Sequence, residues 1–286
     1  MGLRINTNVA SVNAQRNLRG TNADMRKAME RLSSGSRINR AGDDAAGLAI
    51  SENLKAQIRG FNMAMRNSED GISLVQVAEG GLNETSNILA RLRELGIQAA
   101  SDTIGPAERG FLDVEYQSLL NEIERIAQAT EFNNTKLLNG VPEGSKEEGQ
   151  SKVFDLQIGI RNMPGVDRIV FDATKADATV KGLGLDQLNV STKEAAQASL
   201  AKIDTAIQRV AAVRADFGAL QNRLQSTINN LGVSVENLSA ANSRVRDADM
   251  AVETAEMTRN NIMLNAGISV LGQANASNQM ALKLLQ

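Results

Sequence analysis

The sequence predicts a mainly α protein, a long-helix bundle or coiled-coil rod with a small β-hairpin region. Three observations predict it. Apolar residues recur in steps of three and four over stretches of up to about 55 residues, far beyond an ordinary globular helix. The chain has only 3 Pro in 286 residues, and its apolar content is mostly Ala, Leu, Ile, Val and Met. That mixture suits long helices in close contact. Between about residues 141 and 190 the apolar period changes from 3.6 to 2.

The first helical pattern carries Leu18, Met25 and Leu32 at heptad spacing, with Ala14, Ala28 and Met29 on the same stripe. Ile5, Val9 and Val12 open it in a shifted phase. The second is Leu54, Ile58, Phe61, Met65, Ile72, Val75, Leu82 and Leu89. At about 1.5 Å per residue it extends roughly 80 Å. Gly105-Pro106 breaks the chain, and Pro106 suits the first position of a new helix. Leu112, Tyr116, Leu119, Ile123 and Ile126 define that helix's buried face.

EFNNTKLLNG, residues 131–140, reads as loop and turn, and VPEGSKEEGQ after it as an exposed loop. Phe154, Leu156, Ile158 and Ile160 then alternate with polar residues, as in a half-buried strand. Pro164-Gly165 fits the centre of a type II turn leading to a returning strand at Arg168-Ile169-Val170-Phe171. Ser191 with Glu194 reads as a capping box for a third long helix. Its stripe is Ile203, Ile207, Val210, Phe217, Leu224, Ile228, Leu231, Val235 and Leu238, with Arg214 and Gln221 in register. The last helix, about 247–286, carries Met257, Leu264, Ile268, Leu271, Leu282 and Leu285, interrupted by Asn275 and Asn278.

Composition narrows function. The chain has no Cys, His or Trp, six Phe and one Tyr. Thiolate chemistry and zinc-thiolate sites are excluded, as is the usual general base near neutral pH. Carboxylate or lysine chemistry remains open, but no constellation points to a hydrolase. A net charge of −2 gives no reason to expect nucleic acid. The N-terminus lacks the apolar core of a secretory signal peptide, and no stretch approaches a membrane span. An Arg-rich presequence is the alternative for the first 40 residues, although the same periodicity continues past them. Residues 1–40 carry a net +6 and residues 247–286 a net −2, which favours pairing of the two ends.

Several stretches, taken together, resemble the bacterial flagellins. INTNVASVNAQRNL, LSSGSRINRAGDDAAGLAIS, GISLVQVAEGGLNE and LRELGIQAAS resemble that family's N-terminal region. QNRLQSTINNL, ENLSAANSRVRDADMA and GISVLGQAN resemble its C-terminal region. The resemblance spans about 1–140 and 190–286 in the family's order. It implies an inner-core coiled coil of residues 1–43 with 247–286, and an outer-core rod of residues 44–246. Only about 50 residues lie between the family-like halves, so large outer domains are not expected. With no His, a protease insert bearing HExxH is excluded.

The resemblance also implies a function: self-assembly into a secreted, extracellular motility filament, with no catalysis, cofactor or metal. Leu18, Met25, Leu32, Met257, Leu264, Leu271 and Leu285 would form the core assembly stripe. Implied partners are the chain itself, a flagellar export chaperone, the filament cap, hook–filament junction proteins and host Toll-like receptor 5. The receptor surface would comprise Arg91, Leu95, Gln98 and Glu115, with Leu95 as apolar contact and Arg91 as donor. Neither nucleic acid nor membrane is expected. A hook–filament junction protein, whose ends resemble those of flagellins, is the alternative.

Three further motifs have simpler readings. Asp43-Asp44 could suggest a carboxylate metal site, but suits an N-cap and first-turn acid of the helix starting near Ala45. Asp247-Ala248-Asp249 reads as a helix end or joint. Gly182-Leu183-Gly184 is half a dinucleotide fingerprint without its strand–loop–helix setting, and reads as a turn.

Overall fold

A computed structural model describes residues 7–140 and 153–283, with side chains as far as residue 277. The expectations for Ile5, for residues 141–150 and for Leu285 lie outside the described residues, as do those for the side chains of Asn278 and Leu282. The remaining chain is organised as two compact units. One comprises Met1–Ala56 with Asn237–Gln286; the other is Gln57–Glu236. Both boundaries fall inside helices rather than at the helix breaks near residues 43 and 247.

In the first unit, helix α1 spans Val9–Ser34. Asn8 caps it, its Oδ1 accepting from Ser11 N at 3.0 Å. It ends at Gly35, whose φ of 68° is the left-handed conformation of a C-terminal cap. Helix α2, Ala45–Ala99, begins where Asp44 Oδ1 accepts from Gly47 N at 2.8 Å, the capping role expected of that acid. Helix α6, Met250–Lys283, is capped by Asp249, which accepts from Ala251 N and Val252 N. The linkers pair with each other: Ser36 bridges Asp247, Arg37 N donates to Arg246 O, and Ala248 N donates to Gly35 O. Asp247-Ala248-Asp249 is therefore both a joint and a helix start.

The second unit packs most of α2 against helix α3, Pro106–Ala129, and the long helix α5, Lys193–Arg246. Its core includes Leu82, Leu89 and Leu92 from α2, Tyr116 and Ile123 from α3, and Ile203, Val210, Phe217 and Leu224 from α5. Gly residues weaken a helix interior, yet α2 uses four for close approach. A Cβ on Gly60, Gly71 or Gly81 would come within 3 Å of Ile160, Leu156 or Thr130, and on Gly96 would meet Leu200 at 3.0 Å.

Two hairpins complete the unit. Strands β1, Glu131–Phe132, and β2, Thr135–Lys136, flank Asn133 and Asn134, both at positive φ, as a type I′ turn requires. The segment expected as loop is thus a hairpin, and it delivers the fully buried Leu137 and Leu138 to the core. Strands β3, Val153–Gln157, and β4, Arg168–Asp172, are antiparallel, with Phe154 opposite Phe171. The turn holds Gly165 at φ 81°, and Val166 N donates to Met163 O. The strand stops earlier than its alternation suggested. Ile158 N and Gly159 N both donate to Asp167 O, which bulges the chain and leaves Ile160 outside the ladder.

Helix α4, Val180–Leu183, is a single turn that contains Gly182 and is closed by left-handed Gly184. At the start of α5 the cap is Thr192, whose Oγ1 accepts from Ala195 N at 3.2 Å. Ser191 instead meets Asn189. The N-cap is thus one residue later than expected, and with Ala195 at the third helical position no reciprocal capping box forms.

Candidate interaction surfaces

Helices α1 and α6 form an antiparallel pair whose register is fixed by three contacts. Asn8 Nδ2 donates to Ala274 O at 2.9 Å. Leu18 fills the space over Gly267, where a Cβ would lie 2.7 Å from Leu18 Cδ2. Arg31 Nη1 meets Glu253 Oε1 at 2.8 Å. The protected positions are Ser11, Ala14, Leu18, Thr21, Met25, Ala28 and Leu32 on α1, with Asn22, Glu30 and Arg31 partly covered beside them. On α6 they are Glu253, Met257, Asn260, Leu264, Gly267, Leu271 and Ala274. Both runs follow 3–4 spacing, the signature of a coiled-coil seam. Continuing from the three anchors, large residues face small or polar ones: Leu271 opposite Ala14, Leu264 opposite Thr21, Met25 opposite Asn260.

The seam therefore contains every described residue of the expected stripe: Leu18, Met25, Leu32, Met257, Leu264 and Leu271. Other expectations are corrected. Met29 and Val9 point outward, as do Val12 and Ile268. Asn275 is exposed, and the buried seam polars are Ser11, Glu253 and Asn260. Spacing gave the period, but several phases satisfy it in helices that are apolar on more than one side. Arg31 Nε and Glu253 Oε2 are buried without a hydrogen-bond partner, so this ion pair is incompletely satisfied.

The outward side of this pair is unusually apolar. On α6 it carries Val252, Ile262 at 64% exposure, Met263, Ile268 at 56% and Val270. Small and polar groups alternate with Leu and Met in the seam, while β-branched aliphatics face solvent. Beside the pair, the linker acid Asp43 meets Lys27 Nζ at 2.9 Å and accepts from the backbone N–H of Arg40 and Asn39. Lys27 first, then the Arg40 N–H, hold its carboxyl at about 2, below the ordinary 3.8.

The expected receptor surface is divided. Arg91 donates from Nη2 and Nε to Glu115 Oε1 at 2.8 and 3.1 Å, and from Nη1 to Glu94 at 3.0 Å. Glu115 first, then Glu94, raise its pKa further. Gln98 is exposed on the same side. Leu95 is not available: it is 1% exposed and packed in the core. Arg91 and Leu95 are one turn apart, but the burial boundary of α2 runs between them, so Leu95 cannot supply an apolar contact. The exposed apolar groups nearby are Phe111, one turn before Glu115 on α3 at 77% exposure, and Val114 at 68%. Sequence reasoning passed over both, although α3's buried stripe, once phased on Tyr116 and Ile123, places them outside.

Among the described residues there is no group of three or more Asp or Glu placed to hold a metal ion. Nor is any described helix long and apolar enough to cross a membrane.

Comparison with known proteins bears on these surfaces. The family profile described as "Bacterial flagellin N-terminal helical region" matches residues 5–143, and "Bacterial flagellin C-terminal helical region" matches 200–285. A flagellin of Halalkalibacterium halodurans is 45% identical over 99% of both chains. One of Bacillus subtilis is 44% identical, covering 99% of this chain and 100% of its own. The crystal structure of Bacillus cereus flagellin aligns at TM-score 0.50 and 32% identity, over 62% of this chain and 94% of that one. A putative flagellar hook-associated protein from Vibrio parahaemolyticus aligns at TM-score 0.57 and 17% identity, covering 72% of this chain and 100% of that one, a likeness of fold alone. Matches of such identity along the whole length do not favour the junction-protein reading.

Proposed function

The chain belongs to the bacterial flagellin family and is a structural subunit of the flagellar filament, not an enzyme; on that premise we propose how it assembles and what else it meets. Residues 1–43 with 247–286 form the inner core of the polymer, and residues 44–246 its outer part. The observation that carries this is the outward apolar side of α6. Such a surface is too extensive for a free-standing helix pair, and burying it against further copies releases about 25 cal/mol per Å² of apolar area.

The seam supports the same reading. With small, polar and incompletely paired groups interrupting its Leu and Met side chains, the α1–α6 pair gains less from its own contact than an all-apolar seam would. Ordering about 60 residues opposes it. The pair is thus weak alone and becomes stable once neighbours cover it. Subunits related by a screw axis make heterologous contacts that propagate without closing.

We assign the subunit an extracellular location, reached through the flagellar type III channel without cleavage. An export chaperone holds the C-terminal segment, the cap guides folding at the tip, and junction proteins connect the polymer to the hook. Removing residues 1–43 or 247–286 leaves a soluble helical protein that cannot elongate seeds under electron microscopy. Growth of filaments by either truncated chain overturns the core assignment.

Host Toll-like receptor 5 is the further partner, recognising Arg91, Gln98 and Glu115 on monomer. Arg91→Ala with Gln98→Ala lowers reporter-cell signalling at least tenfold at unchanged helicity. An unmoved dose curve removes the receptor assignment and leaves the filament function standing.

A further inference from the structure

Asn139-Gly140 is the only Asn-Gly pair in the chain, and the hairpin before it fixes where it lies. Leu137 and Leu138 are fully buried. Leu137 N donates to Thr130 O at 3.1 Å, and Leu138 O accepts from Ala178 N at 3.0 Å. Asn139 and Gly140, which follow, are half-buried.

Glycine is required at 140 for two separate reasons. Its φ of 47° is left-handed, and a Cβ there would overlap the Asp177 carboxyl. Asp177 is itself held in place. Its Oδ1 accepts from Thr179 N at 2.9 Å and from Thr179 Oγ1 at 2.7 Å, and the same carboxyl fills the space over Gly182.

The backbone nitrogen that follows an Asn can attack the side-chain carbonyl and close a five-membered succinimide ring. Three conditions make this fast: no side chain on the next residue to shield its nitrogen, an N–H outside the backbone ladder, and an untethered carboxamide. Asn139 meets all three. Gly140 has no Cβ, and its N–H makes no hydrogen bond to a described residue. The Asn139 carboxamide has no partner among the described residues. Other asparagines fail. Asn67, Asn242 and Asn265 precede Ser or Ala, but they lie inside α2, α5 and α6, where the next N–H is engaged in the helical ladder. Asn67 and Asn242 are also tethered, to Gln157 O and Ser51 Oγ. Asn134 precedes Thr135, whose branched side chain shields the nitrogen.

We propose that Asn139 is a site of spontaneous, time-dependent conversion to aspartyl and isoaspartyl residues. The Gly140 nitrogen attacks Asn139 Cγ, and the new N–Cγ bond closes the ring. The Cγ–Nδ2 bond breaks, and Nδ2 leaves as ammonia with the proton from the Gly140 nitrogen. Water then opens the ring at one of its two carbonyls. Breaking N–Cγ gives an aspartate in the normal main chain. Breaking the bond from nitrogen to the Asn139 backbone carbonyl carbon routes the main chain through Cβ and Cγ, one methylene longer. Either product places a carboxylate beside the glycine on which Asp177 packs. The fold thus requires the glycine that makes its neighbour labile, and a subunit held in a filament records its age at this position.

Full-length protein is held for weeks at physiological temperature, digested, and its peptides resolved by mass spectrometry. Conversion adds about one dalton, and isoaspartate is counted by methyl transfer from labelled S-adenosylmethionine with an isoaspartyl-specific methyltransferase. Conversion at Asn139 exceeds that at Asn67, Asn242 or Asn265 at least tenfold, and rises with pH because the attacking nitrogen must lose its proton. In folded monomer it runs within tenfold of its rate in urea-unfolded chain. Asn139→Gln, whose side chain closes a six-membered ring far more slowly, removes the methyl-accepting signal with helicity unchanged. Conversion at Asn139 no faster than at the helical asparagines overturns the proposal, as does protection of more than tenfold by folding. Both comparisons use unsubstituted protein, so they decide whether or not the Gln variant folds. A methyl-accepting signal that persists in folded Asn139→Gln overturns it as well.

Discussion

At the scale of single residues, burial assigns roles that spacing cannot. Leu95 was legible as one turn from Arg91, but which side of α2 meets the core depends on α3 and α5, and no local pattern records that. Leu95→Ala therefore opens a core cavity, at about 2–5 kcal/mol, and lowers the thermal midpoint. A double variant with Arg91→Ala would confound recognition with stability. Tyr116 poses the converse case. Its side chain is fully buried, and burial above all pushes its hydroxyl up to about 12. That hydroxyl lies near Ser199 yet makes no hydrogen bond; Ser199 donates to Ala196 O instead. Tyr116→Phe removes an unsatisfied group and raises stability by up to about 1 kcal/mol in denaturant titration. A loss of that size would mean that Ser199 satisfies the hydroxyl after all. Asp43 supplies a pH dependence. Its folded value of about 2 lies below the ordinary 3.8, so its contribution is present above about pH 4 and is lost as pH falls towards 2. Asp43→Asn flattens the acid limb of the melting temperature across that window, and an unchanged limb would exclude the contribution. Its partner Lys27 is half-exposed, so the effect is small.

At the scale of elements, the helices were the most legible part, because periods of three and four sustained over several turns have no other reading. The strands β3 and β4 were legible for the same reason, with Phe154 and Phe171 on the inner side. The β1–β2 hairpin was not, although Asn133-Asn134 is the residue type that tolerates positive φ; two-residue strands leave too little alternation to see. The seam of α1 and α6 was half legible. Its apolar members were readable, while Glu253 and Asn260 were not, since polar residues reveal their burial only through a partner. Arg31–Glu253 makes that concrete. Glu253→Leu strands a largely buried guanidinium and weakens the pair by about 1–3 kcal/mol, less than for a fully enclosed charge because Arg31 keeps some solvent contact. Arg31→Met with Glu253→Leu removes both charges and restores or improves on the original stability. Protease protection of α1 and α6 in monomer reads the difference. If both variants lose protection equally, the ion pair is more than a local polar contact.

At the scale of the whole molecule, the sequence resemblance identified the family, and the physical reason the family polymerises lies in how apolar surface is distributed. Unit Gln57–Glu236 has a dense core of its own, with Leu82, Leu89, Leu92, Tyr116 and Ile123 fully enclosed. It needs no neighbour to fold. The α1–α6 pair reverses that economy of burial, with Gly267, Asn260 and Glu253 inside and Ile262, Ile268 and Val270 outside. These three lie at different angles around the helix axis, so no single neighbour covers them all, and α6 must be enclosed from several sides. Ile262→Ser, Ile268→Ser and Val270→Ser together should therefore separate folding from assembly. None of the three contributes to the seam, so monomer helicity and the protection of α1 stay unchanged. Burying each aliphatic side chain in the polymer is worth about 1.5–3 kcal/mol, so losing all three raises the concentration needed for elongation at least a hundredfold. Sedimentation of seeded protein across a concentration series measures it. Leu264→Ala is the complementary control: it lies in the seam and lowers the protection of monomer as well. Elongation by the triple serine variant at the original concentration would show that the outward face of α6 remains uncovered in the filament, and the inner-core assignment would fall with it.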